Sequence, residues 1–147
     1  MIGLTGALGA GKTLFVRGLA EGLGVDPGLV ASPTFVIAHE LPIAAGRSLI
    51  HVDLYRVESE AELENAGLLD WLAPGRVLVV EWADRLPHAL PPERLTVGLE
   101  RDAAEGSQRR LNAIASGAGA QEILARWLAA IRAAPAGAGL TIEAGAS

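Results

Sequence analysis

The sequence predicts a single α/β domain of three layers, in which helices flank a mixed, mainly parallel β-sheet. Three observations support this fold class. The chain has 147 residues, the length of one ordinary domain. Apolar runs alternate with helical patterns in its first half, and strand patterns follow one another directly from residue 76 onward. We expect the domain to cover residues 1–133 and an Ala- and Gly-rich tail to cover residues 134–147.

Six apolar runs predict strands, at residues 2–5, 34–39, 49–54, 76–82, 95–99 and 111–115. Several of these runs are continuous rather than alternating, which is typical of strands that are covered on both faces. In the tail, residues 140–142 have the apolar character of a further short strand.

Three helical patterns accompany these strands. The first has apolar residues at i, i+1, i+4, i+5 and i+8 between residues 15 and 23, and Gly24 follows where a helix stop belongs. The second begins at Ser59, whose hydroxyl suits an N-cap, and runs toward Leu72. The third carries an apolar face made of Ile123, Leu124, Trp127, Leu128 and Ile131.

The composition excludes several classes of protein. A net charge of -5 argues against direct nucleic-acid binding, because neutralising phosphates needs a clustered excess of Lys and Arg. The absence of cysteine excludes disulfides, thiolate metal sites and a cysteine nucleophile. No apolar stretch approaches the roughly 18 residues of a membrane-spanning helix, and no basic region leads into a signal-peptide core. We therefore expect a soluble cytoplasmic protein with no membrane partner, linked to RNA only through another protein.

A phosphate-binding loop is predicted at residues 6–13, where GALGAGKT fits the pattern G-x-x-x-x-G-K-[ST] between an apolar strand and an amphipathic helix. Glycines let the backbone curl so that successive N–H groups point inward, and the helix N-terminus adds partial positive charge. In such a loop Lys12 reaches the β- and γ-phosphates, and the Thr13 hydroxyl holds Mg²⁺. The strand-then-helix context argues against a chance match. The fold class is therefore P-loop NTPase-like.

The number of lysines indicates which nucleotide the loop binds. Guanine-specific P-loop proteins usually have an Asn-Lys-x-Asp segment, and the only lysine of this chain, Lys12, already lies in the loop. The predicted cofactors are therefore ATP and Mg²⁺.

Two carboxylates are candidates for the magnesium side of the site. Asp53 ends the mostly apolar run 49–53, and Glu81 ends the run 76–81. Both should emerge at strand ends, where the ligands of open α/β sheets collect. For either acid alone, a strand-terminal carboxylate in water is the alternative. His51 is most simply a hydrogen-bonded histidine between strand residues.

Residues 32–35, with the sequence SPTF, allow two interpretations. They form either a simple turn or a switch-like loop in which Thr34 senses the γ-phosphate and magnesium. Arg56 is similarly open, since it is placed either to pair with Glu58 or to contact phosphate or a partner.

Taken together, GALGAGKT, SPTF, HVDLYR and EW, in this order and at these separations, resemble the TsaE (YjeE) family. The agreement extends from the first strand to about residue 82, and HVDLYR at residues 51–56 is its most specific part. The resemblance implies an ATPase that supports threonylcarbamoylation of adenosine 37 in tRNA (t6A). It also implies TsaD and TsaB as partners and contact with tRNA only through that assembly.

The resemblance further implies roles for individual residues. The catalytic set is Lys12, Asp53 and Glu81. The residues expected to bind magnesium are Thr13 and Glu81. The residues expected to bind the nucleotide are Gly9, Ala10, Gly11, Lys12, Thr13, Leu14, Thr34 and Asp53. The residues expected to form the switch or partner surface are Thr34, Tyr55, Arg56 and Trp82.

The chain departs from the family pattern in three places. Ala7 stands where the family has Asp, and Leu14 replaces a second Thr, which leaves only the Leu14 backbone N–H for the α-phosphate. We expect this loss to weaken affinity without abolishing it. Family members also have an earlier strand and helix that help to form the nucleotide pocket. For this chain we expect either a start codon assigned too late or loss of that segment.

Two other functions stay open. A small-molecule kinase would need an acceptor pocket and a mobile lid with arginines, for which Arg101, Arg109 and Arg110 are available, although a strand pattern surrounds them. A non-hydrolysing, nucleotide-gated binding module would be favoured if Glu81 and Asp53 proved dispensable.

Overall fold

The computed structural model describes residues 1–101 and 108–134, and this part of the chain contains one six-stranded sheet. The strands are β1 (Ile2–Thr5), β2 (Ala38–Ile43), β3 (Arg47–Asp53), β4 (Arg76–Glu81), β5 (Arg94–Arg101) and β6 (Arg109–Ser116). Their order is β2-β3-β4-β1-β5-β6. The four central strands are parallel, and the edge strands β2 and β6 run antiparallel to their neighbours. The prediction of a mixed, mainly parallel sheet is confirmed.

Helices cover both faces of the sheet, which confirms the three-layer arrangement. They are α1 (Lys12–Gly22), α2 (Glu60–Ala66), α3 (Leu68–Trp71) and α4 (Ala118–Ala133), with a 3-10 turn at Pro27–Leu29. One core joins the sheet to α1 and α4 and includes Val16 and Trp127, and the other joins it to α2 and α3 through Leu63 and Leu68. Within the described ranges, no helix has both the length and the apolar character that crossing a bilayer requires.

Strand β3 contributes to both cores because successive side chains of a strand point to opposite faces. Leu49 packs in the core under α1, whereas Ile50 and Val52 pack in the core under α2. Burying a side chain of this size contributes about 1.5–3 kcal/mol, so the pattern fixes which face each residue takes. His51 and Asp53 lie on the same face of β3 as Leu49, so both side chains are on the side of the sheet that α1 covers.

The strand predicted at residues 34–39 is wrong in position, since β2 spans Ala38–Ile43. A turn precedes it: the N–H groups of Val36 and Ile37 both donate to the carbonyl oxygen of Pro33, at 3.0 and 2.7 Å. Ile37 has a left-handed backbone with a φ of 68°. The apolar character of this segment is that of a strand, but its hydrogen bonds are those of a turn.

The helix predicted from Ser59 toward Leu72 is broken into α2 and α3. The break lies at Gly67, which has a φ of 116° and ends α2. The expected N-cap is confirmed, because Ser59 Oγ accepts a hydrogen bond from Glu62 N at 3.2 Å. Apart from Ala134, the predicted tail and its strand at residues 140–142 lie outside the described residues.

Helix α4 begins with a cap supplied from elsewhere in the chain. Its N-cap residue, Gly117, has no side chain to accept a hydrogen bond. Instead, the backbone N–H of Gly119 donates to Glu93 Oε1 at 2.8 Å. Glu93 directly precedes β5, so this contact links the start of the helix to the sheet.

Replacing Glu93 with Ala should lower the free energy of unfolding by about 1 kcal/mol, which is typical for loss of an N-cap acceptor. Glu93→Gln keeps an oxygen that can accept the bond, and we expect it to lose less than half as much. Urea denaturation followed by circular dichroism measures both variants. Equal losses would assign the effect to the charge of Glu93 and not to the cap.

Candidate nucleotide-binding site

The loop at residues 6–13 joins β1 to α1 through backbone conformations that favour glycine. Gly6 has a φ of 128°, and a Cβ at this position would lie 2.2 Å from the carbonyl oxygen of Leu99, so no other residue fits there. Gly11, the N-cap of α1, has a φ of 110°. No side chain in the described part of the chain caps this helix and its first turn is free of acidic residues, an arrangement that suits anion binding by backbone N–H groups.

Lys12, the first residue of α1, is held inside the loop. Its ammonium group donates to the carbonyl oxygens of Gly6, at 2.6 Å, and Ala7, at 3.0 Å. The same group lies 3.5 Å from the centroid of the Trp82 ring, and Tyr55 packs against that ring with the two centroids 5.0 Å apart. Backbone dipoles and an aromatic face thus surround the positive charge.

The environment of Lys12 also affects its protonation. Burial lowers the pKa of Lys12 below its ordinary value, and the carboxylates of Glu81, Asp84 and Asp53 oppose that shift. Burial therefore works against the charged form, and nearby anions restore it. An anionic phosphate at the loop would act in the same direction as these carboxylates.

Glu81 connects the loop to the sheet. It ends β4, is 3% exposed, and accepts a hydrogen bond on Oε1 from Thr13 Oγ1 at 2.8 Å. His51 Nε2 lies 2.8 Å from the same oxygen, which confirms the hydrogen-bonded histidine expected from the sequence. Because the Thr13 hydroxyl directs its hydrogen to Glu81, the lone pairs of Thr13 Oγ1 are left to bind a cation.

Asp53 lies beside Glu81, since the two are register partners at the ends of β3 and β4. Its Oδ2 accepts hydrogen bonds from Ser32 Oγ, at 2.5 Å, and Thr34 Oγ1, at 2.6 Å. Its Oδ1 accepts one from the backbone N–H of Tyr55 at 2.8 Å. The turn interpretation of the SPTF segment is thus confirmed, and the hydroxyl groups of the segment also bind a carboxylate of the site. A role of Thr34 in sensing the γ-phosphate stays a prediction.

These side chains fit a magnesium ion that is shared with phosphates. Mg²⁺ usually binds one or two protein oxygen ligands and completes its shell with water and phosphate oxygens. Thr13, at the start of α1, and Glu81, at the end of β4, would supply such a pair and are in hydrogen-bond contact with each other. The remaining predicted ligands lie around the loop: Gly9 is exposed, Ala10 is buried, and Leu14 is exposed in the first turn of α1.

Three contacts of the site were not predicted from the sequence. Arg109 Nε, on β6, donates to the carbonyl oxygen of Ala10 at 3.0 Å and so links the edge strand to the loop. Ser32 binds Asp53 together with Thr34. Trp82, which the resemblance assigned to a switch or partner surface, lies over Lys12. No local pattern signals these contacts, because the tertiary fold alone brings the partners together.

The surface beside the site exposes two large apolar side chains next to an arginine. Phe35 is 87% exposed and Val36 60% exposed in the turn that follows Thr34. The Arg56 guanidinium carbon lies 5.0 Å from the centroid of the Phe35 ring. This group of residues is therefore accessible to another molecule at the same end of the sheet as the loop.

Comparison with known structures supports the fold. The crystal structure of Bacillus subtilis YdiB aligns with 88% of this chain and 76% of that chain, with a TM-score of 0.61 and 32% sequence identity.

Comparison with known sequences identifies the family. The sequence model of "Threonylcarbamoyl adenosine biosynthesis protein TsaE" matches residues 1–111. Two similar proteins are named tRNA threonylcarbamoyladenosine biosynthesis protein TsaE. The one from Streptomyces coelicolor is 45% identical, over 69% of this chain and 68% of the relative. The one from Bacillus subtilis is 44% identical, over 67% of this chain and 60% of the relative. The relative in Treponema pallidum is 40% identical, over 71% and 75%. The chain thus spans between three fifths and three quarters of these relatives' length. It belongs to the TsaE family.

Proposed function

We propose that this protein is a Mg²⁺-dependent ATPase that supports threonylcarbamoylation of adenosine 37 in tRNA, in concert with TsaD and TsaB. The observation that carries the proposal is the hydrogen bond between Thr13 and Glu81 beside the loop at residues 6–13. It joins the phosphate-binding element to a carboxylate, as hydrolysis of a nucleotide requires. The names of the relatives supply the biological context.

Each part of the site has a task in this proposal. Backbone N–H groups of residues 9–14 hold the phosphates, and the ammonium of Lys12 contacts the β- and γ-phosphates. Thr13 and Glu81 hold Mg²⁺, which supplies positive charge against the phosphate oxygens. The exposed Leu14 side chain adds no hydroxyl, so at this position only the backbone N–H serves the α-phosphate.

Asp53 is suited to orient the attacking water. An ionised carboxylate has about four acceptor positions. Ser32, Thr34 and the Tyr55 N–H occupy three of them, which leaves room for one further donor. Thr34 and the proposed water would both hydrogen-bond to the Asp53 carboxylate. A movement of the SPTF segment would therefore change the position of the water through Asp53.

The partners follow from the charge and surface of the chain. A net charge of -5 favours contact with tRNA through other proteins. The exposed Phe35 and Val36 provide apolar area beside Thr34 for TsaD or TsaB. A cytoplasmic location is part of the proposal, because ATP and tRNA are both present there. Kinase activity gains no support from Arg101 and Arg109, which lie on strands β5 and β6 and not on a helical lid.

Removing the ammonium of Lys12 should weaken ATP and ADP binding roughly 10- to 100-fold, the range expected for a charged hydrogen bond to phosphate. Isothermal titration calorimetry of Lys12→Ala measures the loss. Arg126→Ala removes a positive charge from an exposed position on α4 and should leave affinity unchanged. Unaltered binding by Lys12→Ala would refute the assignment of the loop.

Hydrolysis should be slow in the isolated protein and should change when purified TsaB and TsaD are added, because partners complete a switch-type NTPase. Asp53→Asn should lower the rate roughly 100-fold through loss of the water-orienting carboxylate. Asp70→Asn, at an exposed position on α3, is the matched control. Phosphate release during incubation with ATP measures all of these.

Three outcomes would redirect the assignment. Hydrolysis that is indifferent to both partners would contradict the accessory role, and phosphate transfer to a metabolite would establish a kinase. Variants of Asp53 and Glu81 that no longer hydrolyse ATP but still support threonylcarbamoylation would favour a non-hydrolysing, nucleotide-gated binding module.

A further inference from the structure

His51 is a buried polar residue whose presence the packing of β3 does not explain. Its side chain is fully enclosed, at 0% exposure, and its neighbours on the strand, Leu49, Ile50 and Val52, are apolar. Of its two ring nitrogens, Nδ1 has no hydrogen-bond partner in the part of the chain that the structure describes. An apolar side chain would fill the position without burying an unpaired polar atom. The reason for a histidine must therefore lie in its other nitrogen.

That nitrogen, Nε2, contacts Glu81 Oε1 at 2.8 Å. An ionised carboxylate only accepts hydrogen bonds, so the ring carries its hydrogen on Nε2 and donates it. The Thr13 hydroxyl donates to the same oxygen at 2.8 Å. Two donors from two separate elements, β3 and α1, thus fix one oxygen of this carboxylate.

The backbone makes this contact rigid. His51 pairs with Val79 of β4 on one side and with His39 of β2 on the other, so its Cα is held within the sheet. Glu81 lies two residues beyond Val79 and on the same face, because side chains alternate along a strand. The sheet therefore fixes the backbone of His51, and complete burial of the side chain confines the imidazole beside Glu81.

We propose that His51 is a positioning residue for the magnesium site. Its Nε2–H group holds the Glu81 carboxylate in the orientation in which that carboxylate accepts a hydrogen bond from the Thr13 hydroxyl. Thr13 Oγ1 and the Glu81 carboxylate are thereby positioned before Mg²⁺ and nucleotide bind. The inference rests on the proposed function, since it assigns Mg²⁺ to Thr13 and Glu81. Hydrogen bonds that orient metal ligands typically change metal affinity 10- to 100-fold when they are removed.

The two variants that test this role differ in one hydrogen-bond donor. His51→Gln places an amide nitrogen at about the same distance from the backbone as Nε2 and keeps a donor toward Glu81. His51→Met has a similar length and no donor. If His51 had a purely structural role, the two variants would bind Mg²⁺ equally well, or His51→Met would bind it more tightly because Met packs better in an apolar position.

The measurement is the apparent Kd of Mg²⁺ for the protein saturated with ADP, together with the Kd of ADP in excess EDTA. We expect His51→Met to raise the Kd of Mg²⁺ by 10- to 100-fold and to leave the ADP Kd in EDTA within about 3-fold of wild type. His51→Gln should stay within about 3-fold of wild type in both. An unchanged Kd of Mg²⁺ in His51→Met, or an equal loss in both variants, would overturn the role.

A double-mutant cycle with Glu81→Gln gives a second test. If His51 acts through Glu81, adding His51→Met to Glu81→Gln should weaken Mg²⁺ binding by less than about 2-fold, whereas an independent effect would multiply. Should His51→Met fail to fold, as thermal melting would show, His51→Asn replaces it, because its shorter amide does not reach Glu81. We expect the same loss of Mg²⁺ affinity from that variant.

Wild-type protein separates failure of this inference from failure of the proposed function. ADP binding that does not respond to Mg²⁺ in the wild type would contradict the magnesium site itself, and with it the role of His51. Mg²⁺-dependent binding in the wild type that is equal in all His51 variants would overturn the positioning role alone.

Discussion

The hydrogen bond between the Thr13 hydroxyl and the Glu81 carboxylate is the contact on which the site depends. It joins the first turn of α1 to the end of β4, two elements separated by 68 positions in the chain. The phosphate-binding loop follows β1 directly in the chain, and this hydrogen bond links it to β4 as well. Through the register of β3 and β4, it also places the loop beside Asp53. The geometry of the site thus follows from the position of one carboxylate.

That position depends in turn on the alternation of side chains along the central strands. In β3 and β4 the residues that face α2 are apolar and fully buried, among them Ile50, Val52 and Val80. This core opposes a shift of either strand by one residue, because a shift would move Asp53 and Glu81 into the apolar core under α2, away from the loop. The packing on the far face of the sheet therefore determines which side chains reach the nucleotide loop.

Much of this arrangement was predictable because the signals are local. The loop at residues 6–13, the strand before it and the helix after it form a contiguous pattern, and the two acids end apolar runs. The turn after Pro33 was not predictable, because its apolar residues resemble a strand and only the backbone hydrogen bonds distinguish it. The contact of Arg109 with Ala10 spans 99 positions and depends on the pairing of β6 with β5. No periodicity encodes such a contact.

The arrangement around Lys12 has a thermodynamic consequence. Its ammonium group already has two carbonyl oxygens and the face of Trp82 as partners. Two of its three N–H donors are thus engaged, so a phosphate either takes the third donor or displaces a carbonyl oxygen. The affinity of the loop for nucleotide is therefore a difference between two sets of interactions, and it reports on the resting contacts of Lys12 as much as on the nucleotide.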